Sequence, residues 1–140
     1  MDAARPRSVR LSRAVWQAMA EHARRAMPNE CCGLLIGAAD RVDRAMAARN
    51  LRESPTRYLL DPVDHFAAMK AARADGLAVV GVYHSHPHSP PVPSARDLDE
   101  ATYPDYLYVI VTPGVGDDLA DARGYWISHG RYEPVDLQIA

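Results

Sequence analysis

The sequence has no long hydrophobic run and very little cysteine. No apolar stretch in its 140 residues approaches the ~20 needed to cross a bilayer, so we expect no transmembrane helix. Residues 1–10 are charged and lack the apolar core of a secretory signal peptide. The only two cysteines, Cys31 and Cys32, are adjacent, and neighbouring strand positions point to opposite faces, so a disulfide between them would be strained. These absences predict a cytoplasmic protein in a reducing compartment.

A strong charge of either sign is also missing. The formal net charge of −2 at pH 7 gives no reason to expect a nucleic acid or an anionic membrane as partner. Hydrophobic residues make up 48% of the chain and charged residues 24%, which is ordinary for a globular protein large enough to bury a core. The sequence shows no repeat, low-complexity tract or interdomain linker. We therefore predict a single domain over residues 1–140.

Helical and strand patterns are mixed along the chain. Ser12 is suited to cap a helix that runs to about Met27, and Asp61-Pro62 opens a second helix that runs to about Asp75. A short helix is predicted over 94–101 and a loop over 113–118. The segments with strand patterns are 30–38, 41–50, 58–60, 77–86, 106–112, 122–128 and 131–135. This order predicts an α+β fold with helices flanking a central mixed sheet.

The most informative segment begins with two histidines at the end of an apolar strand. His84 and His86 follow the run from Leu77 to Tyr83, and alternation along a strand places both imidazoles on one face. After a proline-rich loop comes Asp97, in the first turn of the short predicted helix. Two imidazoles and one carboxylate, with room for a water, form the ligand set of a catalytic zinc site, whereas structural zinc normally takes four protein ligands. The segment therefore predicts an enzyme, although an isolated His-x-His is most often a pair of ordinary polar residues.

Simpler roles exist for the acids and the serine near this segment. Ser94 is suited to cap the short helix, with Asp97 at its N3 position. A hydroxyl committed to capping is a poorer donor to a substrate, so the two roles of Ser94 compete. Glu30 could be a solvated acid at a strand entrance, yet its flanks predict a fixed, partly enclosed position where it could take a proton from a zinc-bound water. Spacing alone does not connect Glu30 to His84.

The same residues resemble a known motif. His84-x-His86, seven further residues, Ser94, two residues and Asp97, with Glu30 upstream in Glu-Cys-Cys-Gly-Leu-Leu-Ile-Gly, resemble the JAMM motif of the MPN-domain metalloproteases. Three further segments resemble the small stand-alone prokaryotic members: Tyr58-Leu59-Leu60-Asp61-Pro62, Val80-Gly81-Val82-Tyr83 and Tyr125-Trp126-Ile127. The resemblance covers roughly residues 9–135 and implies the MPN (cytidine deaminase-like) fold.

The resemblance also implies a role for each residue of the motif. His84, His86 and Asp97 bind one zinc ion, with water as the fourth ligand. Glu30 acts as general base and then as general acid, and Ser94 hydrogen-bonds the oxyanion of the tetrahedral intermediate. The implied activity is a zinc-dependent hydrolysis of an amide or isopeptide bond after the C-terminal glycine of a ubiquitin-like or sulfur-carrier protein.

Three other functions are compatible with parts of the pattern. The first is a non-catalytic MPN module that binds ubiquitin-like tails, and the intact Glu30 and ligand set weigh against it. A zinc deaminase is disfavoured because its His-x-Glu and Pro-Cys-x-x-Cys pattern is absent. A relative associated with DNA repair, with a similar His-x-His-Pro loop, is disfavoured by the near-neutral charge.

The remaining histidines and the cysteines are assigned no chemistry. His88 lies outside the alternation that pairs His84 with His86, so it is predicted to be an exposed loop residue. No activating base is assigned to Cys31 or Cys32, and buried cysteine is usually inert packing. The other three histidines, which have no constellation around them, are His22, His65 and His129.

Overall fold

Seven strands and three helices make up the described part of the chain, which is residues 5–114 and 120–140 of this computed structural model. The helices are α1 (Arg13–Ala26), α2 (Pro62–Ala74) and α3 (Ala95–Glu100). The strands are β1 (Ser8–Leu11), β2 (Cys32–Ala38), β3 (Arg41–Ala48), β4 (Ala78–Ser85), β5 (Leu107–Thr112), β6 (Asp121–Ser128) and β7 (Arg131–Ile139). None of the helices in these ranges has the length and apolar character to cross a membrane.

The strands form one mixed sheet that closes into a barrel in the order β1-β3-β2-β4-β5-β6-β7. The predicted mixed sheet with flanking helices is confirmed, but the closure was not predicted. It depends on β1, which pairs in parallel with both β3 and β7 and buries Val9 and Leu11. Strand β1 is only four residues long and lies in the charged N-terminal segment. Its alternation of buried and exposed residues is too short to be recognised in the sequence, and the strand was therefore not predicted.

The predicted helix boundaries are confirmed by their caps. Ser12 Oγ accepts a hydrogen bond of 3.1 Å from the Val15 amide at the start of α1. Asp61 caps α2 in the same way, with Pro62 in the first turn. Gly76, just after α2, has a φ of +70°, a left-handed conformation that glycine adopts without strain.

Two predicted segments differ in the structure. Tyr58-Leu59-Leu60 is not a strand, because only an isolated bridge joins Leu60 to Asn50. The Leu59 amide donates to the side chain of Asn50. A side-chain hydrogen bond thus replaces the backbone hydrogen bond that a neighbouring strand would provide. The strand predicted to begin at Glu30 begins at Cys32. Most of the loop predicted over 113–118 falls on residues 115–119, which lie outside the described residues.

The two longer helices pack on separate hydrophobic clusters, and β4 lies between them. Tyr83 of β4 belongs to the cluster that α1 covers, whereas Val82 belongs to the cluster that α2 covers. Since side chains alternate along a strand, His84 lies on the same side as Val82, at the carboxyl end of β4. The fold therefore places the first histidine beneath the segment that leads into α2.

Candidate active site and metal centre

The two histidines meet at the end of β4. His84 and His86 are 1% and 4% exposed, and their Nε2 atoms lie 3.2 Å apart. The prediction that both imidazoles share one face is confirmed. Strand β4 pairs with β2 on one side and β5 on the other, so this end of the strand is held from both sides.

Asp97 reaches the same point from the start of α3. Its Oδ1 lies 3.3 Å from His84 Nε2, and its Oδ2 lies 2.9 Å from His86 Nε2. Asp97 also completes a capping box with Ser94: the Ser94 amide donates to Oδ2 at 2.9 Å, and the Asp97 amide donates to Ser94 Oγ at 3.0 Å. Helix α3 therefore fixes the backbone of Asp97 while its carboxylate faces the histidines.

The proline-rich loop between β4 and α3 is held by side-chain hydrogen bonds. His86 Nδ1 donates to the Pro90 carbonyl at 2.7 Å, and the Tyr125 hydroxyl donates to the Pro91 carbonyl. The first bond fixes the proton on Nδ1, so in the neutral ring His86 Nε2 carries the lone pair that a metal needs. The loop thus folds Asp97 back over the strand end and sets the tautomer of His86.

These three side chains fit a metal ion. His84, His86 and Asp97 each offer one ligand atom, these atoms lie within 4.8 Å of one another, and no other such group occurs among the described residues. Two nitrogens bound to a tetrahedral zinc at ~2.05 Å are roughly 3.3 Å apart, close to the distance between the two Nε2 atoms. The group can therefore hold a cation through two imidazoles and one carboxylate.

The charges in the site also suit a cation. Burial alone would raise the pKa of Asp97, but the hydrogen bonds from His84 and His86 outweigh it and hold the pKa well below its ordinary value. Burial lowers the pKa of His84, which favours the neutral ring. Burial also opposes protonation of His86, but its bonds to Asp97 and Pro90 raise the pKa overall. The site therefore presents an ionised carboxylate beside two imidazoles, one of which, His84, is kept neutral by its burial.

Glu30 lies at the entrance to β2, close enough for its charge to act on His86 and Asp97. It is 6% exposed, and its Oε1 has no hydrogen-bond partner among the described residues. Burial, the largest cause, raises the pKa of Glu30 to about 8, opposed by His86 and reinforced by Asp97. The structure thus confirms an enclosed position rather than a solvated strand end. A carboxyl group kept partly protonated near neutral pH is suited to take and return a proton.

The two predicted roles of Ser94 do not compete in this geometry. Its Oγ accepts from the Asp97 amide, which uses a lone pair and leaves the hydroxyl hydrogen free to donate. Ser94 is exposed at the mouth of the site, where a substrate could receive that hydrogen. The predicted capping role of Ser94 is confirmed, and its donation to a substrate stays a prediction.

Replacing Ser94 by alanine is expected to lower kcat by roughly 10²–10³-fold, because an oxyanion donor is lost, and to destabilise the fold by ~1 kcal/mol, because the cap is lost. Metal content should not change, since the ligand atoms stay in place. Ser12→Ala is the matched control, because Ser12 caps α1 with the same kind of bond. Equal losses of activity in the two variants, measured beside thermal unfolding, would leave Ser94 with the capping role only.

Ser85, Tyr58 and Asn50 were not assigned by the sequence. Ser85 is fully buried between the two histidines, and its Oγ accepts from the Cys31 amide at 2.8 Å, next to Glu30. The Tyr58 ring stacks on the His84 ring with centroids 4.5 Å apart and planes at 19°. The position of Ser85, between two candidate ligand histidines at a strand end, could have indicated its role from the sequence. Nothing in the sequence spacing indicates that Tyr58 contacts His84.

The two cysteines lie beside the site but are poor nucleophiles. Both are free and buried. Burial raises the pKa of Cys31 to about 11 and that of Cys32 to about 12. Since the thiolate is the reactive form, the structure supports the prediction of inert packing.

We expect both cysteines to be unreactive in the native protein. A disulfide reagent that releases a coloured thiolate should label both cysteines in denaturant, and over the same time it should label neither in the folded protein. The reason is that Cys31 and Cys32 are 2% and 0% exposed and remain thiols near neutral pH. Rapid labelling of the native protein with loss of activity would contradict this assignment.

The other histidines stand apart from the metal group. His88 is exposed in the loop, as predicted. His22 Nδ1 lies 2.8 Å from the Tyr83 hydroxyl, and His65 Nε2 lies 3.0 Å from the Tyr106 hydroxyl. His129 occupies the turn between β6 and β7 with a positive φ of 53°. None of the four is brought to the cation-binding group, which is limited to the three residues named above.

Comparison with known families agrees with this site. Residues 12–127 match the model of the family described as prokaryotic homologs of the JAB domain. The chain belongs to this family. The matched range contains Glu30, both histidines, Ser94 and Asp97. The resemblance noted in the sequence is therefore confirmed at the level of the family.

Several named relatives are similar in sequence. The CysO-cysteine peptidase of Mycobacterium tuberculosis is 42% identical over 125 residues, which cover 86% of this chain and 84% of the relative. A desampylase of Haloferax volcanii is 42% identical over 89 residues, covering 61% of this chain and 64% of the relative. A probable TtuB-protein conjugate cleaving protease of Thermus thermophilus is 39% identical over 95 residues, covering 67% and 64%. The match therefore spans less than two thirds of the length of the last two relatives.

Solved structures give the fold directly. A protein from Desulfitobacterium hafniense, solved in solution, superimposes with a TM-score of 0.85 at 32% identity and covers 94% of this chain and 92% of its own. A JAB1/MPN domain protein from Archaeoglobus fulgidus superimposes with a TM-score of 0.62 at 24% identity, covering 95% and 97%. The predicted MPN fold is confirmed.

Proposed function

We propose that this protein is a zinc-dependent peptidase that hydrolyses the amide or isopeptide bond after the C-terminal glycine of a ubiquitin-like or sulfur-carrier protein. The observation that carries the chemistry is the convergence of His84, His86 and Asp97 on one point, with Glu30 enclosed beside them. The names of the relatives support the substrate class, since they describe a CysO-cysteine peptidase, a desampylase and a protease that cleaves TtuB conjugates.

His84, His86 and Asp97 would hold the ion. When bound, zinc supplies a Lewis acid and lowers the pKa of water from 15.7 towards about 7. The Asp97 carboxylate stays ionised across the neutral range, because hydrogen bonds from both imidazoles hold its pKa low. The Nδ1–H of His86 would stay hydrogen-bonded to the Pro90 carbonyl, which leaves Nε2 for the ion.

Glu30 would move the proton. Its carboxylate accepts a proton from the attacking water and then, as a carboxylic acid, donates it to the nitrogen of the leaving amine. The enclosed position raises the pKa of Glu30 to about 8, chiefly by burial, and a nearby cation would act in the opposite direction, favouring the carboxylate that accepts the proton.

Ser94 would stabilise the oxyanion. Its hydroxyl hydrogen is not used by the capping bond, and the bond that it accepts from the Asp97 amide fixes the position of the oxygen. One such donor contributes roughly 3 kcal/mol when it is aimed at the developing charge.

We also infer a reducing, cytoplasmic location. The chain has only two cysteines, Cys31 and Cys32, and both are buried free thiols, as is usual where thiols are kept reduced.

Mass spectrometry tests the substrate class. The zinc-loaded protein is incubated with a ubiquitin-like sulfur carrier that carries one cysteine after its terminal glycine, and with the same carrier joined to a lysine side chain. We expect a product that ends at the glycine, and no product from a carrier whose terminal glycine is replaced by proline. A carrier that binds tightly and stays intact would favour the non-catalytic module instead.

A further inference from the structure

The side chain of Asn50 uses its full hydrogen-bonding capacity just after β3. Its Nδ2 donates to the carbonyls of Glu30 and Arg57, both at 3.1 Å. Its Oδ1 accepts from the amides of Arg52 at 3.0 Å and Leu59 at 2.9 Å. Two carbonyls face the nitrogen and two amides face the oxygen, so the orientation of the side-chain amide is fixed by its partners.

This arrangement matters because the backbone of Glu30 has left the sheet. At Cys32 the strand still pairs with His84. The Cys31 amide, in contrast, donates to the side-chain hydroxyl of Ser85 and not to the backbone carbonyl of Ser85. One residue earlier, the Glu30 amide donates to the Ser54 carbonyl at 2.8 Å. The amide and the carbonyl of Glu30 are therefore held by Ser54 and Asn50, whereas the amide and the carbonyl of the next residue, Cys31, are held by Ser85 of β4.

The same segment carries Tyr58 over the metal group. Residues 51–59 form a loop closed by the Leu51 amide, which donates to the Leu59 carbonyl at 2.9 Å. The two Oδ1 bonds of Asn50 hold the backbone of this loop from inside. Tyr58 projects from it and stacks on the buried His84 ring. One side chain thus links the backbone of Glu30 to the residue that covers the ring of a ligand histidine.

We infer that Asn50 is a positioning residue that fixes Glu30 relative to the metal ligands. This inference rests on the proposed function, because it concerns the residue to which that function assigns proton transfer. Asn50 acts through the Glu30 carbonyl and through the loop that carries Tyr58. Removing the Nδ2 donor frees the Glu30 backbone to shift, and a misplacement of ~1 Å in a reacting group can cost ~10²-fold in rate.

Two substitutions separate the two halves of the side chain. Asn50→Ala removes all four bonds, so both Glu30 and the loop are released. Asn50→Asp keeps the acceptor for Arg52 and Leu59 but places an oxygen against the Glu30 carbonyl. Asn29→Asp is the matched control, because it adds the same charge in the cavity that Glu30 and Asn50 both line.

We expect both Asn50 variants to lose ~10–100-fold in kcat with little change in KM, because the substitution misaligns the group that moves the proton and removes no residue assigned to contact the substrate. Zinc content should match the unmodified protein, since no ligand is altered. In hydrogen exchange, Asn50→Ala should speed exchange at the amides of Glu30, Arg52 and Leu59. Asn50→Asp, which loses the Nδ2 bonds to the carbonyls of Glu30 and Arg57, should speed it at Glu30 and spare Arg52 and Leu59. Strands β5 to β7 should keep their protection in both variants.

The outcomes are distinct. Unchanged kcat in both Asn50 variants, or an equal fall in Asn29→Asp, would overturn the inference. A general loss of zinc and melting temperature, in proportion to the loss of rate, would also overturn it in favour of a purely structural role. If the unmodified protein cleaves no carrier, the proposed function fails, and the exchange at Glu30 then decides by itself whether Asn50 holds that residue.

Discussion

Replacing Glu30 by glutamine is expected to abolish turnover and leave the metal site loaded. Glutamine matches glutamate in shape but cannot carry the proton from water to the leaving amine, and a positioned acid or base contributes about 10²–10⁴-fold in rate. Glu30 does not belong to the group of ligand atoms that could hold the ion. Single-turnover cleavage and zinc analysis on the same sample check both halves. Retained activity would place the base elsewhere.

The same substitution is expected to stabilise the metal-free protein in alkaline solution. The pKa of Glu30 is raised from 4.5 to about 8 by burial, so the folded chain binds this proton more tightly than the unfolded chain does. The free energy of unfolding contributed by this group therefore falls as the pH rises from about 4.5 to about 8 and then levels off. Glutamine cannot ionise, so Glu30→Gln lacks this fall.

Chemical denaturation of both metal-free proteins at a series of pH values measures this difference. Glu30→Gln should be the more stable protein above about pH 8, and the two should converge below about pH 4.5. Parallel curves across the range would show that the carboxyl group is not enclosed in solution. If Glu30→Gln gains stability and loses activity, then the buried carboxyl group of Glu30 destabilises the fold but is needed for catalysis.

Replacing Asp97 by alanine is expected to empty the metal site. Removing a residue that only orients a metal ligand through a hydrogen bond lowers metal affinity about 10–100-fold. Removing a ligand itself should therefore lower the affinity by more than about 100-fold. Asp97→Ala also removes the acceptor for the Ser94 amide, so helix α3 is weakened at the same time. Zinc analysis after dialysis against a weak chelator measures the first effect and circular dichroism the second.

Two controls separate these effects. Asp97→Asn keeps a side-chain oxygen for the Ser94 amide but removes the negative charge, so it should keep the helix and lose most of the affinity. Ser94→Ala removes the other half of the capping box and should keep the metal. Full zinc content in Asp97→Ala would contradict the ligand assignment.

The sequence was sufficient to predict the ligand group because its residues are close in the chain. His84 and His86 lie at the end of one strand, and Asp97 follows after a loop long enough to fold back over the strand end. Glu30 was different. It reaches the site through the antiparallel pairing of β2 with β4, a contact across more than fifty residues that periodicity does not specify. Only the family resemblance connected it to the histidines.

The interactions that were missed are tertiary hydrogen bonds and one stacking contact. No sequence motif marks Ser85, Asn50 or Tyr58. Their roles depend on partners that are distant in the chain and that the fold brings near. The short strand β1 was missed for a related reason. Its two buried residues become informative only once β3 and β7 are placed beside them. Local patterns thus predicted the helices and six of the seven strands, but not β1 or how the barrel closes.

Carrier cleavage by this protein should require a metal ion held by His84, His86 and Asp97. The test follows one carrier, extended by a single cysteine after its terminal glycine, by mass spectrometry before chelation, after chelation and after one equivalent of zinc is returned. We expect cleavage at the glycine, its loss on chelation and its recovery with zinc, and no recovery in Asp97→Ala. Cleavage that continues undiminished in the chelated protein would contradict the account.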